Sequence, residues 1–512
     1  MTIKTEILSL MTVAAVLAAQ GQTSTPSATP SATATVNADA PKLSPLEQSI
    51  QDIKNPTPWL SWGADLRLRN EYYNNDRTLN QSKANHEQDY FRIRPRLWTS
   101  ITPIKDLSLN ARITTEMRDY VDPSDSSAFN LNKNPAWSSS TKGYYGYDWA
   151  YGIIDTLNIK YKNIASSGAT LTVGRQDIML NDGWLIGDGT PLDGSTTAYL
   201  DAARLTYDFK EQHTTVDAIG LLQYARPDAW LPTINEQHRA VADQNEKGGI
   251  LNINNTTITE ANVGAYFIYK NDKRLTINPP LGANGDNADI YTVGARVNGV
   301  CADHWKYSAE GAYQFGRRCD TNINKNLLDP VAQVNDPTKD YRDISAFGVN
   351  SKLSYLFNDS MKNTVGLAYE FLSGDNKNTK NDEMFDVLWG RYARWTDLYT
   401  YVYVKENQHI GAYNNYHRFG PTWTLTPVNK LDVSLTYNLL WADQTTPTRD
   451  KTTDNALFAG GSFRGQYIQS LFRYKFNQHV AALLQGEAFV PGNFYASNKL
   501  MSFIRAELNF TF

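Results

Sequence analysis

The sequence predicts an all-β protein: a transmembrane up-and-down antiparallel β-barrel of about 18 strands. Three observations support this fold class. Apolar and polar residues alternate along recurring strand-length segments, short and long connections alternate between those segments, and the last segment ends on an aromatic residue. Apart from the start of the chain, no run of about eighteen apolar residues occurs, which argues against transmembrane helices. It does not exclude a barrel, whose apolar residues are diluted by alternation.

The start of the chain predicts a secretory signal peptide. A mostly apolar run at residues 7–19 is followed by small and polar residues, so we predict that residues 1–21 are removed. Residues 22–58 are expected to form a Ser/Thr/Pro-rich linker and a short periplasmic segment, with a short helix at residues 45–53. The barrel is then expected to comprise residues 59–512.

Alternation is clearest in a hairpin near the start of the barrel. In residues 90–101 apolar side chains take the odd positions, while Arg92, Arg94 and Arg96 take even ones. Residues 107–118 repeat the pattern. A spacing of two is that of a strand with one apolar and one polar face. Because a soluble sandwich could contain one such hairpin, recurrence and connectivity must decide between the two folds.

The connections favour the barrel. Short turns alternate with long polar segments, among them residues 119–148, 176–198, 316–343, 372–415 and 442–465. Short periplasmic turns and long extracellular loops are typical of outer-membrane barrels. Strict alternation also requires a strand near residues 249–253, which we expect to be short because it contains few apolar residues. Including it gives an even count of about 18 strands and leaves both termini on the periplasmic side.

If the apolar faces contact lipid, the charged faces must line the lumen, because a charge at the bilayer midplane costs about 2–4 kcal/mol on the lipid side. We therefore predict a basic ladder along the pore, formed by Arg67, Arg69, Arg92, Arg94, Arg96, Arg112, Arg118 and Arg204, with Asp65 and Glu116 among its acidic counterparts. Arginine stays ionised and holds a carboxylate with two hydrogen bonds, so a row of such sites would let a polyanion pass. The alternative is that these arginines only pair with neighbouring carboxylates.

Tyr and Trp are concentrated at residues 143–151 and 389–403. Aromatic rings among polar groups can stack on sugars, but more often they form the interfacial girdle of a membrane barrel. We favour the girdle. Which loop enters the lumen is left open, with residues 176–198 and 372–415 as the longest candidates.

The sequence gives little support for catalysis, metal binding or cofactors. The seven His residues are scattered, and no zinc, calcium or phosphate-loop spacing occurs. Cys301 and Cys319 would lie at opposite ends of one strand, roughly 30 Å apart, too far for a disulfide or a shared metal. The net charge of -4 favours no particular partner, and we expect no nucleic acid to bind.

Two segments resemble the alginate export family of bacterial outer-membrane barrels: LTVGRQDI at residues 171–178 and YLDAARLTY at residues 199–207. The residues that carry the resemblance are Gly174, Arg175, Gln176 and Asp201. The resemblance implies a passive conduit whose arginine-rich constriction passes an anionic uronate polysaccharide.

Strict alternation conflicts with this motif at some positions. It places Arg175 and Asp155 on the lipid face, and Asp201 has the same difficulty. The conflict requires a bulge near Gly174 and another near Gly152, or pairing with a neighbouring side chain.

The sequence therefore predicts an outer-membrane channel for anionic oligo- or polysaccharide. A general porin without polysaccharide specificity and a loop-plugged, surface-binding barrel remain as alternatives. The expected partners are outer-membrane lipid, anionic carbohydrate and the barrel assembly machinery, which would recognise the terminal Phe512.

Overall fold

The computed structural model describes residues 44–75, 87–121, 147–187, 199–225, 231–234, 242, 244–276, 283–319, 341–376, 378–391, 393–407, 413–445 and 458–512. The predicted signal peptide and the linker as far as residue 43 lie outside these ranges. The short helix expected before the barrel is present as α1, Pro45–Lys54. It begins at Ser44, whose hydroxyl accepts a hydrogen bond from the Glu47 N–H, and Pro45 occupies the first helical position, where a missing N–H has no cost.

Eighteen strands of the described residues form one closed antiparallel sheet. They are β1 (Leu60–Asn74), β2 (Glu87–Ile104), β3 (Leu107–Tyr120), β4 (Tyr147–Tyr161), β5 (Thr170–Gln176), β6 (Leu200–Phe209), β7 (Thr214–Gln223), β8 (Asn245–Ile258), β9 (Ala261–Lys273), β12 (Asn287–Cys301), β13 (Trp305–Cys319), β14 (Tyr341–Leu356), β15 (Thr364–Leu372), β16 (Tyr416–Val428), β17 (Leu431–Trp441), β18 (Phe463–Lys475), β19 (Val480–Pro491) and β20 (Met501–Thr511). A separate hairpin of β10 (Leu275–Thr276) and β11 (Ala283–Asn284) lies between β9 and β12, and α2 (Thr400–Asn407) lies between β15 and β16.

Each barrel strand pairs with its neighbours in sequence, β9 pairs with β12, and β20 closes the sheet against β1. This confirms the predicted up-and-down barrel of eighteen strands. The strand required by the alternation of loops is β8, which pairs along its length with β7 and β9. Its existence is confirmed, but at 14 residues it is much longer than expected.

The distribution of side chains is the reverse of that in a soluble sandwich. Large apolar residues point outward and are exposed; Phe91 is 49 % exposed and Leu97 50 %. The alternating charged residues point inward and are buried, as Arg92 shows at 4 %. An outward apolar band is stable only in lipid, because the bilayer core solvates apolar groups and not charges. Among the described residues, no helix is long and apolar enough to cross a bilayer.

The bulge that sequence alternation required in β4 lies at Asp155, a few residues after the predicted position near Gly152. The β3–β4 register pairs Arg112 with Thr156 and Ile113 with Ile154, so Asp155 is the extra residue. At this bulge the carboxylate of Asp155, which is fully buried, contacts Arg112. The side chain therefore does not face lipid.

Neither cysteine forms a disulfide, as the sequence predicted. Cys301 ends β12 and Cys319 ends β13, at opposite ends of one hairpin.

Candidate functional site

Two short strands determine where the lumen is narrowed. β5 has seven residues and β15 has nine, whereas their neighbours β4 and β14 have 15 and 16. The chain therefore leaves the barrel wall early at these two positions. We call the segments that follow, residues 177–187 and residues 373–407 apart from 377 and 392, the inserted loops. Both candidates that the sequence left open turn inward.

The inserted loops pack on each other. Trp389 donates its backbone N–H to Leu185 O at 2.9 Å and accepts from Gly187 N–H at 3.2 Å, so the two loops form a short parallel bridge. The Trp184 ring stacks on Phe385 with centroids 5.7 Å apart. One loop thus supports the other across the lumen.

The girdle prediction is wrong for residues 389–403. Trp389, Tyr399 and Tyr403 are buried in the packed interior of the inserted loops and do not reach the lipid interface. In residues 143–151 only the Trp149 side chain is described; it is exposed, and the rest of that prediction lies outside the described residues.

Ion pairs attach the second inserted loop to the barrel wall at β13. Arg318 donates to Asp382 and to Asp386, each at 3.0 Å. The Asp386 N–H also donates to Gln314 Oε1 at 2.8 Å. Burial raises the pKa of Asp382 above its ordinary value, and Arg318 partly opposes that shift. On the β8 side of the lumen, Arg391 donates to Glu246 at 2.8 Å.

A further ion pair attaches α2 to the barrel wall at β18. Arg464 of β18 donates to both carboxylate oxygens of Glu406, at 2.7 and 2.8 Å, and both side chains are fully buried. The same guanidinium donates to Asn415 O at 2.8 Å and stacks over Phe494 with 4.2 Å to the ring centroid. The inserted loops are therefore fixed to the wall by buried polar contacts on several sides.

Arginines concentrate on the adjacent strands β20, β1, β2 and β3. We call their inward-facing arginines the basic wall: Arg67, Arg69, Arg92, Arg94, Arg96, Arg112, Arg118 and Arg505. Seven of the eight arginines that the sequence predicted for the lumen lie here. The exception, Arg204, lies on β6, where it pairs with Asp217 of β7 at 2.8 Å.

The register of the wall places like charges directly opposite each other. Arg67 lies opposite Arg94, and Arg69 lies opposite Arg92, which in turn lies opposite Arg118. Directly opposed like charges on a sheet are destabilising. The arrangement therefore depends on carboxylates that reach several arginines at once.

Glu116 is one such carboxylate. Its oxygens lie 2.9 Å from Arg92, 3.0 Å from Arg118 and 3.6 Å from Arg67. The side chain is fully buried. One negative charge is thus shared by three guanidinium groups.

Glu71 has the same role two inward-facing rows nearer the extracellular rim. It lies 2.6 Å from Arg505, 3.0 Å from Arg92 and 3.1 Å from Arg69. Arg505 belongs to the last strand and Glu71 to the first, so this carboxylate also joins the two ends of the barrel sheet.

Two more carboxylates complete the described network. Asp65 accepts from Arg96 Nε at 2.8 Å and lies 3.9 Å from Arg94, and Glu507 lies 2.7 Å from Arg69. Within the described residues of this network, seven arginines share four wall carboxylates. Within these contacts the arginines outnumber the wall carboxylates, so two of the carboxylates are each shared by three guanidinium groups.

Each edge of the basic wall meets an inserted loop. At one edge Arg112 lies 3.0 Å from Asp177, and at the other Arg505 lies 3.0 Å from Asp397. Neither aspartate is among the lumen residues predicted from the sequence. The available signal is the shortness of the strand-like segment before each long connection, residues 170–175 and 364–371, which indicates that the chain leaves the wall early.

The residues of the sequence motif join β5 to β4 and β6 by hydrogen bonds, directly before the first inserted loop. Arg175 donates to Asp201 at 3.0 Å and to Ile154 O at 2.9 Å, while the Gln176 amide donates to Ala202 O at 3.0 Å. The pairing that the sequence allowed as an alternative to a bulge is therefore present for Arg175 and Asp201. The expected bulge at Gly174 is wrong, because β5 pairs with β4 and β6 without a register shift.

Gly174 itself adopts φ +119°, and a Cβ there would lie 2.3 Å from Leu157 O. We expect Gly174→Ala to lower the free energy of unfolding by about 1–3 kcal/mol, because both the backbone conformation and the close approach disfavour a side chain. A urea titration in detergent, followed by tryptophan fluorescence, measures this loss. The matched control is Gly220→Ala, where a Cβ would meet open space. Equal losses in the two variants would contradict the strain at Gly174.

Comparisons with known proteins agree with this architecture. The family model described as alginate export matches residues 58–503. No curated protein matches the chain. Among solved structures the chain is similar to Acinetobacter baumannii OccAB1, with a TM-score of 0.53, 10% identity, and coverage of 88% of this chain and 96% of that one.

Two Pseudomonas aeruginosa structures are also similar in fold. OccK8 (OprE) has a TM-score of 0.51 and 11% identity, covering 88% of this chain and 98% of its own. OpdO has a TM-score of 0.50 and 10% identity, covering 88% and 97%. At these identities the likeness concerns the fold alone, whereas the family model covers most of the sequence. The chain belongs to the alginate export family of bacterial outer-membrane β-barrels.

Proposed function

We propose that this outer-membrane channel passes anionic oligo- or polysaccharide, of the alginate-like uronate type, along the basic wall by passive diffusion. The observation that carries the proposal is the sharing of few carboxylates by many arginines. Each guanidinium has five N–H donors, whereas a carboxylate has about four acceptor sites. Three guanidinium groups on Glu71 or on Glu116 therefore have more donors than that carboxylate can accept.

The position of the basic wall in the lumen supports an effect of its charge on anionic solutes. Fixed positive charge surrounded by a low-dielectric barrel concentrates anions in the lumen. Arginine binds a carboxylate through two parallel hydrogen bonds, and neighbouring arginines offer similar sites in succession. Glu71 lies six residues after Asp65 on β1, a distance of about 20 Å at 3.3 Å per residue. A wall of that length can contact several sugar units together.

The alternative from the sequence is that these arginines only pair with neighbouring carboxylates. It explains the basic wall less well. If the arginines served only to balance wall carboxylates, the described network would need about one carboxylate for each arginine. Seven arginines share four in the described residues. We infer that the basic wall acts on anionic solutes in addition to pairing with these carboxylates.

Ion-selectivity measurements test this proposal. We expect Arg67→Gln combined with Arg94→Gln to lower the anion-to-cation permeability ratio severalfold in planar bilayers. These two arginines lie farthest from the wall carboxylates of the described network, at 3.6 and 3.9 Å, so their loss leaves the shorter ion pairs of that network intact.

The matched control removes two positive charges from periplasmic turns, Lys105→Gln with Lys362→Gln, and should leave the ratio unchanged. A parallel liposome assay compares the uptake of trigalacturonate with that of neutral maltotriose. If the wall variant keeps wild-type selectivity and both sugars enter equally, the protein is a general porin in which the wall charge is incidental.

A further inference from the structure

The two edges of the basic wall repeat one arrangement. At the first edge Arg112 lies between two carboxylates: Nε is 2.8 Å from Asp155 Oδ1, and Nη1 is 3.0 Å from Asp177 Oδ2. Asp155 belongs to the barrel wall, whereas Asp177 is the first residue of an inserted loop. Arg112 therefore joins the wall to the loop.

At the second edge the partners are different but the roles are the same. Arg505 Nη2 is 2.6 Å from Glu71 Oε1, and Nη1 is 3.0 Å from Asp397 Oδ2. Glu71 belongs to the wall, and Asp397 belongs to the second inserted loop. Each edge arginine thus has one carboxylate from a strand and one from a loop.

Burial distinguishes the two kinds of carboxylate. The wall carboxylates Asp155 and Glu71 have no exposed surface. The loop carboxylates are accessible, since the side chain of Asp177 is 32 % exposed and that of Asp397 is 13 % exposed. A solute in the lumen can therefore reach Asp177 and Asp397 more readily than Asp155 or Glu71.

We propose that Arg112 and Arg505 are carboxylate-binding subsites of the pore, and that Asp177 and Asp397 occupy them as internal substitutes for the uronate carboxylates of the cargo. The inference rests on the proposed function and specifies where the cargo binds. When a uronate carboxylate replaces a loop aspartate, the arginine keeps its wall partner and exchanges one carboxylate for another. The exchange does not leave a buried guanidinium without a counter-charge, which would be strongly unfavourable.

The loops can release these side chains without losing their position. The N–H groups of Asp397 and Leu398 donate to Glu487 of β19, at 3.2 and 2.8 Å. In the first loop the Leu180 N–H donates to Ile186 O at 3.1 Å. These contacts involve the backbone, so they persist when either aspartate side chain turns away.

A tethered carboxylate competes at its effective concentration, which is in the millimolar range for a short connection. Removing it should strengthen the binding of an external carboxylate. We expect Asp177→Asn combined with Asp397→Asn to lower the trigalacturonate concentration that gives half-maximal block of the ion current by about fivefold or more. The full-length protein in planar bilayers is the system to use, and maltotriose should show no such change.

The chain offers a matched control in the same loop. Asp182 is exposed and pairs at 2.8 Å with Arg296 of β12, outside the basic wall. Asp182→Asn therefore removes one loop charge without altering either edge subsite, and its half-blocking concentration should equal that of the wild type. If the double variant does not insert, the single variants Asp177→Asn and Asp397→Asn are each expected to show part of the tightening.

The outcomes separate this inference from the proposed function. Unchanged or weaker block in the Asp177 and Asp397 variants would overturn the inference, as would equal tightening in Asp182→Asn, which would indicate a general charge effect. In those cases trigalacturonate would still block the wild type better than maltotriose does. If the two sugars block the wild type equally, the proposed function fails, and the inference fails with it.

Discussion

Replacing Glu71 with Gln should lower the free energy of unfolding by about 3–5 kcal/mol, the cost typical of removing one partner from a buried ion pair. The substitution keeps the shape of the side chain but leaves Arg69, Arg92 and Arg505 facing one another without their shared negative charge. Urea unfolding in detergent measures the loss. Because the lumen also becomes more positive, the anion-to-cation permeability ratio should rise in planar bilayers.

Glu507→Gln is the matched control for Glu71→Gln. It removes the same charge from the neighbouring strand, but in the described network Glu507 contacts Arg69 alone, and its side chain is partly exposed. We expect its loss of stability to be less than half that of Glu71→Gln. Equal losses of stability in the two variants would mean that the sharing of Glu71 among three arginines adds no stability beyond that of a single ion pair.

Glu406→Gln should release α2 from the barrel wall and raise both the mean conductance and the current noise of the open channel. Arg464 would retain a full charge in a site with no exposed surface, which costs about 3–5 kcal/mol. Since Arg464 also donates to Asn415 O and stacks on Phe494, the disturbance should spread to the end of the inserted loop. Single-channel recordings with and without the substitution measure the effect.

The double variant Glu406→Leu with Arg464→Met provides the comparison. Replacing a buried ion pair by apolar side chains of similar volume is often neutral, so this variant should be closer to the wild type than Glu406→Gln is. If the double variant is the noisier of the two, the contact fixes α2 through its hydrogen bonds and not through charge balance.

The barrel could be predicted from the sequence because apolar and polar residues, and short and long connections, alternate regularly along the chain. Alternation in residues 90–101 and 107–118 reflects lipid on one face and charge on the other, and it predicted inward positions for Arg92 and Arg94, whose side chains are buried. The alternation of loops even required β8, whose own composition indicates a strand only weakly. Such regularities extend over the whole barrel, so a local irregularity does not remove them.

The narrowing of the pore could not be predicted in the same way. Loops have no period, and an aromatic-rich segment has the same composition whether it lies at a lipid interface or, like Trp389 and Tyr399, in a packed loop interior. Alternation required a bulge in β4, but its position at Asp155, where the carboxylate contacts Arg112, depends on a pairing between strands that one-strand patterns do not contain. The sharing of Glu71 by three arginines depends on register, which alternation does not specify.

The place where the cylinder closes has a consequence for biogenesis. Glu71 and Arg69 belong to the first strand, and their partners Arg505 and Glu507 belong to the last. Until β20 meets β1, Glu71 lacks Arg505 and Arg69 lacks Glu507, so pairing of the two strands completes two ion pairs of the basic wall. The seam that makes the protein a continuous cylinder is therefore held by side-chain ion pairs as well as by backbone hydrogen bonds.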